Sequence, residues 1–257
     1  MRRGLPLVLR IGVSLTAAED AVAPSIWPGG EENDVVTLVT WRHGQTDYNL
    51  ERRFQGQSDV PLNALGRQQA AQAAGYLAAM GPSAIFSSDL SRALVTAGAL
   101  ARLTGLPVQL DKDLRERWGG SWEGLTESEI AERFPVARLT WTPPDGELAT
   151  AVADRTSAAL GRIADGLPGG ALAVVVGHGA SLNLGIHRLL GLPEEPRRLG
   201  PFGNCHWSVL SRRRRKWRVL QHNVGMNRQM RKHFRPKSRA YIDCDRRRNQ
   251  SGVHHFQ

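Results

Sequence analysis

Two histidines in this chain each lie one residue beyond a short apolar run, and each is followed by a glycine. His43 comes after residues 35–41 and His178 after residues 171–176, and both runs have the β-branched composition of a buried strand. In an open parallel sheet, strand ends lie along one edge, and this edge is where ligands bind. We therefore expect the two imidazoles to meet across one pocket, where they could transfer protons or attack an electrophile.

These histidines belong to an ordered set of motifs. Asn49 lies six residues after His43, and further charged residues follow in short motifs of their own. The set resembles the histidine phosphatase superfamily, also called the phosphoglycerate mutase-like family, over about residues 35–223. It consists of Arg42-His43-Gly44, Asn49, Arg92 within Ser87-Ser88-Asp89-Leu90-Ser91-Arg92, Glu116 within Leu114-Arg115-Glu116, and His178-Gly179.

The pattern of elements predicts an α/β chain in three layers, α/β/α, with a mostly parallel central sheet, as the resemblance also implies. Apolar runs predict strands at residues 35–41, 84–87, 108–110 and 171–176, and a final hairpin at 207–210 and 217–220. Helical composition predicts helices near residues 64–80, 90–103, 126–134, 149–164 and 181–190. Thr126 and Glu129 have the spacing of a capping box.

Phosphate monoesters resist hydrolysis because their negative charge repels a nucleophile and the departing alkoxide is a poor leaving group. Arg42 and Arg92 each offer a fork of donors that suits two phosphoryl oxygens. His43 can attack phosphorus and form a phosphohistidine if its other ring nitrogen is hydrogen bonded, for which the carbonyl of Gly44 is the expected partner.

Glu116 is the expected general acid, since repulsion from a phosphate would raise its pKa and let it protonate the leaving oxygen. His178 is expected to be protonated and to bind the same phosphoryl oxygens, with Asn49 as a neutral donor. These roles match those of the resembling family. Glu123 and Asp113 are the rival acids, and their alternative interpretation is that they are surface carboxylates.

The expected substrate-binding residues are Asn49, Gln55, Gly56 and Gly179. His187 and His206 lie in apolar surroundings, where histidines are more often structural than ligating. No His, Asp and Cys cluster has metal spacing, so we expect neither a metal nor another cofactor.

The resembling family includes both phosphatases and mutases. Cofactor-dependent mutases carry a longer insertion between the general acid and the second histidine, with paired arginines. Here only 62 positions separate Glu116 from His178, and Arg133 and Arg138 are isolated, which favours a phosphatase with a small phosphate monoester as substrate. Phosphoglycerate mutase-type transfer remains the alternative.

Within the phosphatases, several motifs are similar to the actinobacterial branch that includes glucosyl-3-phosphoglycerate phosphatase, which makes a phosphorylated sugar or sugar acid a candidate substrate. These motifs are residues 42–49, 87–90, 125–126 and 204–207. The chain departs from the family pattern at Gly119, Ala180 and Asn183, so the selectivity of the pocket stays open.

The net charge of +10 is concentrated near the C-terminus. Residues 211–257 hold fifteen of the 34 Lys and Arg but only two of the 24 acids, so residues 1–210 hold nineteen bases and twenty-two acids. We expect a leader at 1–33, a catalytic domain at 34–223 and a basic, disordered tail at 224–257. Nucleic acid would bind only through this tail, and a weakly catalytic protein that binds phospholigands or polyanions is a second alternative.

The chain is long enough for one substantial domain. Its two cysteines are too few for a disulfide framework, so a cytoplasmic location is expected. No stretch approaches the length of a membrane span, and Arg10 interrupts the apolar start too early for a signal peptide. The oligomeric state is open, with a homodimer among the alternatives.

Overall fold

Four parallel strands and an antiparallel hairpin form one sheet in the computed structural model, which describes residues 34–193 and 198–226. Within these residues the sheet has six strands in the order β3-β2-β4-β1-β5-β6. The strands are β1 Val35–Arg42, β2 Ala84–Ser87, β3 Val108–Leu110, β4 Leu172–Gly177, β5 Trp207–Arg213 and β6 Lys216–Val224. Strands β1 to β4 are parallel to one another, while β5 is antiparallel to both β1 and β6.

Seven α-helices lie within the described residues. They are α1 Asp47–Leu50, α2 Ala64–Ala79, α3 Ser91–Thr104, α4 Glu127–Arg133, α5 Pro135–Leu139, α6 Ala149–Asp165 and α7 Gly179–Leu189. Helix α3 ends at Gly105, whose φ of 73° is favourable only for a residue without Cβ. The capping box of Thr126 and Glu129 is present at the start of α4, as predicted.

Helices cover both faces of the sheet because alternate strand residues point to opposite sides. On one face Val39 and Val174 pack with residues of α2 and α3. On the other face Leu38 and Val175 pack with residues of α6 and α7. The structure therefore confirms the three-layer α/β/α fold with a mostly parallel sheet.

The ends of β1 and β4 place the two histidines side by side. Arg42 pairs with Gly177 at the last position of the β1–β4 ladder, and the backbone N–H of His43 donates to the carbonyl of Gly177 at 3.0 Å. The start of α2 closes on this turn, since a Cβ on Gly44 would lie 2.3 Å from the carbonyl oxygen of Gly66. Only glycine fits at this contact.

Two differences from the predicted elements matter for the site. Helix α7 begins at Gly179, two residues earlier than predicted, so His178 is its N-cap. Strand β6 runs to Val224 and Met226 packs on the core, so the folded unit extends past residue 223. The predicted leader, residues 1–33, and residues 227–257 of the predicted tail lie outside the described residues.

Candidate active site

His43 lies at the end of β1 with only 2% of its surface exposed. Its Nδ1 donates to the carbonyl of Gly44 at 2.7 Å, which confirms the predicted partner and leaves Nε2 as the nitrogen with a free lone pair. Burial, followed by the charges of Arg42 and Arg92, holds the pKa of His43 well below its usual value. The ring is therefore neutral and nucleophilic at neutral pH.

Arg92 lies in the first turn of α3 and is fully buried. Its two terminal nitrogens donate to the carbonyls of Ser58 and Gly56, both at 2.7 Å, and its Nε donates to Nδ1 of His178 at 3.2 Å. Burial lowers the pKa of Arg92 to about 10, so the guanidinium remains charged at neutral pH. Three fixed hydrogen bonds hold this charge beside His43.

The position of His178 differs from the expectation. Its Nδ1 accepts from Arg92, so Nε2 carries the proton and donates to Ser88 Oγ at 2.9 Å. Burial, followed by the charge of Arg92, holds the pKa of His178 well below its usual value. These contacts and the lowered pKa favour a neutral His178 in this arrangement, while protonation of His178 beside a phosphate dianion stays a prediction. The imidazole lies 5.1 Å from that of His43, measured between ring centroids, and it orients Arg92.

Glu116 follows a 3₁₀ turn and reaches the N-terminus of α7. Its carboxylate accepts three backbone N–H groups, from Arg117 at 2.9 Å, Ala180 at 3.0 Å and Ser181 at 2.9 Å. Two of these donors are at the start of α7, where backbone N–H groups have no partner within the helix. The early start of α7 thus fixes the position of this carboxylate.

The guanidinium of Arg42 uses the space that glycine leaves at position 179. One terminal nitrogen of Arg42 donates to the carbonyl of Phe202, while its buried Nε has no hydrogen-bond partner among the described residues. A Cβ on Gly179 would lie 3.3 Å from this Nε, so glycine leaves the space that the guanidinium uses. Gly179 thus supports Arg42 and does not line the cavity itself.

Hydrogen bonds to its side-chain oxygen fix the orientation of Asn49. Its Oδ1 accepts from the backbone N–H of Thr46 at 3.2 Å and from Nδ2 of Asn204 at 3.0 Å. The amide N–H₂ of Asn49 is the end left for a ligand. Asn204 belongs to a motif noted in the sequence, but its role in orienting Asn49 was not predicted, because 155 positions separate the two residues.

A cavity of about 180 Å³, here called the phosphate cavity, brings these groups together. Gln55 and Gly56 line it, and the buried Oε1 of Gln55 has no hydrogen-bond partner among the described residues. His178 is not among the lining residues. The full lining consists of Arg42, His43, Asn49, Arg53, Phe54, Gln55, Gly56, Arg92, Glu116, Arg117 and Ala180.

Sequence reasoning missed Arg53, Phe54 and Arg117 as lining residues. Arg117 is almost fully buried, and it donates to the carbonyls of Trp141 at 3.1 Å and Glu147 at 2.7 Å. Its position directly after Glu116 was the available signal. For Phe54 and Arg53 the signal was adjacency to Gln55.

The rival acids have structural roles. Glu123 accepts from the backbone N–H groups of Gln57, Ser58 and Gly119, so it shapes the turn at Gly56, and Asp113 pairs with Arg162 at 2.7 Å. A Cβ on Gly56, whose φ is 53°, would lie 2.0 Å from Oε1 of Glu123. Neither carboxylate lines the phosphate cavity.

His187 and His206 make structural hydrogen bonds outside the phosphate cavity. His187 is buried, with Nδ1 donating to the carbonyl of Asn183 and Nε2 accepting from backbone N–H groups of the following loop. His206 forms a hydrogen bond with the side chain of Asn223.

Among the described residues no three His, Cys, Asp or Glu side chains are grouped to hold a metal ion. In the same part of the chain no helix is long and apolar enough to cross a membrane.

The fold and the site, a buried neutral histidine among arginines and one carboxylate, define a phosphoryl-transfer enzyme. Comparison gives the family: residues 38–225 match the Histidine phosphatase superfamily (branch 1), and the chain belongs to this superfamily. The protein is a phosphatase.

Two relatives are similar over most of their length. The chain is 42% identical over 187 residues to glucosyl-3-phosphoglycerate phosphatase of Mycolicibacterium vanbaalenii, covering 68% of this chain and 83% of the relative. It is 37% identical over 183 residues to a probable phosphoglycerate mutase of Salmonella arizonae, covering 68% and 85%. A solved mycobacterial glucosyl-3-phosphoglycerate phosphatase with VO3 superposes with a TM-score of 0.68 at 39% identity, covering 74% of this chain and 99% of the other.

Proposed function

We propose that this phosphatase hydrolyses the phosphate ester of a phosphorylated sugar acid, glucosyl-3-phosphoglycerate, through a phosphohistidine at His43 and without a metal. The observation that carries the proposal is the neutral, buried ring of His43, whose Nδ1 is bonded to Gly44 and whose Nε2 is left to react. The similarity to two mycobacterial enzymes of that name supports the substrate.

In the first step Nε2 of His43 attacks phosphorus, and the bond between phosphorus and the ester oxygen breaks. Arg42 and Arg92, with the amide N–H₂ of Asn49, neutralise the phosphoryl oxygens as charge builds up on them. Glu116 acts in this step in its protonated form, which the negative phosphoryl group beside it favours, and transfers the proton to the departing oxygen. The alcohol then leaves the cavity and phosphohistidine remains.

In the second step water attacks the phosphohistidine, and Glu116, now ionised, takes a proton from the water. The bond between phosphorus and Nε2 breaks, which releases inorganic phosphate and regenerates the neutral ring. His178 assists both steps as a positioning residue, because its Nδ1 accepts from Arg92 while its Nε2 donates to Ser88. Gln55 and Gly56 complete the wall that contacts the substrate.

The test is phosphate release from glucosyl-3-phosphoglycerate, 3-phosphoglycerate and p-nitrophenyl phosphate with a chelator present. Wild type is expected to turn over, and His43→Ala is expected to lose at least about 1,000-fold in kcat, the scale of removing a nucleophile. A base-quenched reaction analysed by mass spectrometry should show phosphate on the peptide that contains His43.

His222→Ala is the matched control, because this histidine lies on β6 outside the phosphate cavity. Equal inactivity of wild type and His43→Ala on every ester would overturn the proposal. Conversion of 3-phosphoglycerate to its 2-phospho isomer without phosphate release would favour the mutase alternative, which the probable mutase relative represents.

We further propose a cytoplasmic location, a homodimer in solution and, as an added role, polyanion binding through the basic tail. The location is supported by Cys205, which is buried, has no disulfide partner among the described residues and has a pKa raised by burial, as an inert thiol would. Light scattering tests the dimer. Loss of salt-dependent nucleic-acid binding on deleting residues 227–257 tests the tail.

A further inference from the structure

A second groove, of about 580 Å³, opens beside the phosphate cavity and shares Asn49, Arg53 and Phe54 with it. We call it the side groove, and its walls are Tyr48 of α1, residues 126–128 at the start of α4, and Trp141. At about 180 Å³ the phosphate cavity alone is smaller than the roughly 300–1,000 Å³ usual for ligand sites. A substrate with more than a phosphoryl group and a short acid must extend beyond it.

Trp141 is held in the wall of this groove with 38% of its surface exposed. Its ring packs edge-on against Trp122 at 5.1 Å and tilted against Phe54 at 6.4 Å, both between ring centroids. Its backbone has a φ of 50°, a conformation that a bulky side chain rarely adopts and that often marks a functional site. The backbone conformation therefore does not favour a large aromatic residue here, and conformational preference does not explain why tryptophan occupies this position.

The backbone of Trp141 is also linked to the phosphate cavity. Its carbonyl accepts from a terminal nitrogen of Arg117 at 3.1 Å, and Arg117 lines that cavity. The backbone carbonyl of Trp141 thus helps to position the guanidinium of Arg117 beside the phosphate cavity. The indole ring of the same residue forms part of the side groove. The two spaces are parts of one continuous site.

The chemistry of the side groove suits a neutral polyol. Glu51, Glu127 and Ser128 offer acceptors and a hydroxyl, while Arg53 is already paired with Glu51 and Glu129. A flat, half-exposed indole offers an apolar surface to the C–H face of a sugar ring. The carboxylates of Glu51 and Glu127 are paired with Arg53 and Arg138, and the lining holds Arg52 and Arg53 beside the two acids, so the groove has no excess of charge. Its polar atoms favour hydroxyl groups over a purely apolar group.

We propose that the side groove binds the glycosyl group of the substrate, with Trp141 as the surface on which the sugar ring stacks and hence as a specificity-determining residue. This rests on the proposed function, because the phosphoryl group must occupy the phosphate cavity. Glucosylated and unglucosylated phosphoglycerate then differ only in the group that enters the side groove.

The experiment compares kcat/KM for glucosyl-3-phosphoglycerate with kcat/KM for 3-phosphoglycerate. Trp141→Ala is expected to lower the ratio of the two values about tenfold, mainly through KM, since one aromatic contact contributes on the order of 1 kcal/mol. Trp118→Ala is the matched control, because Trp118 is similarly exposed but lies outside the side groove. The control is expected to leave the ratio unchanged.

A second variant fills the side groove without disturbing the aromatic cluster. Ser128→Trp places a large side chain at an exposed position in the wall, and it is expected to lower the same ratio at least tenfold. Glu132→Trp, at an exposed position of α4 outside the groove, is its control. If Trp141→Ala fails to fold, the comparison of Ser128→Trp with Glu132→Trp still tests whether the side groove binds the glycosyl group.

The outcomes separate this proposal from the proposed function. If wild type hydrolyses both esters and neither groove variant changes the ratio, the glycosyl site is overturned while the phosphatase mechanism stands. If wild type hydrolyses 3-phosphoglycerate but not its glucosylated form, the glycosyl site is again overturned. If wild type hydrolyses neither ester and no aryl phosphate, the proposed function itself fails.

Discussion

The phosphate cavity and the side groove share three residues but are built by different means. In the phosphate cavity, reactive groups extend from strand ends and helix starts, and fixed hydrogen bonds hold them, as in the three donors of Arg92. The side groove is formed by loops and the short helices α1 and α4, with its aromatic wall partly exposed. The comparison indicates that the sheet determines the reaction and the surface loops determine which ester reacts.

If the phosphate cavity determines the reaction and the side groove determines which ester reacts, removing Arg92 should lower the turnover of all esters alike. Arg92→Ala deletes a buried cation and leaves two carbonyls and Nδ1 of His178 without their donor. We expect kcat to fall about 1,000-fold on both phosphoglycerate esters, the upper range for losing one electrostatic stabiliser, with their ratio unchanged. Arg102→Ala, at the exposed end of the same helix, is the control. A selective loss on one ester would contradict the division.

Substrates with different leaving groups can isolate the role of Glu116 as general acid. Glu116→Gln removes the transferable proton, so kcat should fall about 100-fold on alkyl esters and much less on p-nitrophenyl phosphate, whose leaving group is stable as an anion. Steady-state kinetics on both ester types measure this. Glu123→Gln is expected to lower the melting temperature without such selectivity, because Glu123 shapes the turn at Gly56. If Glu123→Gln showed the leaving-group effect, the assignment of the acid would be wrong.

Buried neutral histidines make the phosphate cavity sensitive to acid. The pKa values of His43 and His178 are lowered in the folded protein, so below pH 6.5 the unfolded chain binds more protons than the folded one. The free energy of unfolding should therefore fall as pH drops below about 6.5, by about 1.4 kcal/mol per pH unit for each histidine. Urea unfolding between pH 7 and 5 measures the slope, and His43→Gln should reduce it. An unchanged slope in that variant would show that His43 is not the source.

The smallest expected effect concerns the wall of the side groove. Thr126→Ala removes the cap of α4, including the bonds between Thr126 Oγ1 and Glu129, and should cost about 1 kcal/mol of stability. Chemical denaturation measures this cost. Because α4 bounds only the side groove, the variant should alter the ratio of glucosylated to unglucosylated turnover more than kcat on p-nitrophenyl phosphate. An equal fall on all esters would show that the two regions are mechanically coupled.

Much of the fold could be predicted because its signals are local. Short apolar runs predicted all six strands, and the two helical layers followed from the composition of the segments between them. The partner of His43 was predictable for the same reason, since Gly44 is its chain neighbour. The cap of α4 depends on Thr126 and Glu129, only three residues apart.

What escaped prediction depends on contacts between distant segments. The tautomer of His178 is set by Arg92 and Ser88, which are 86 and 90 positions away. Burial and the charge of Arg92 lower its pKa, and neither could be predicted from the motif around His178. The partners of Glu116 come from the start of α7, which begins at Gly179 and not at the predicted residue 181.

The sequence by itself determined the reactive groups and their order along the sheet edge, because strand periodicity and the motifs around His43 and His178 are properties of short segments. Only the tertiary structure decided the tautomer of His178, the placement of Arg117 and the exposure of Trp141. Each of these depends on burial and on hydrogen bonds from other elements, and both are set when the layers pack together.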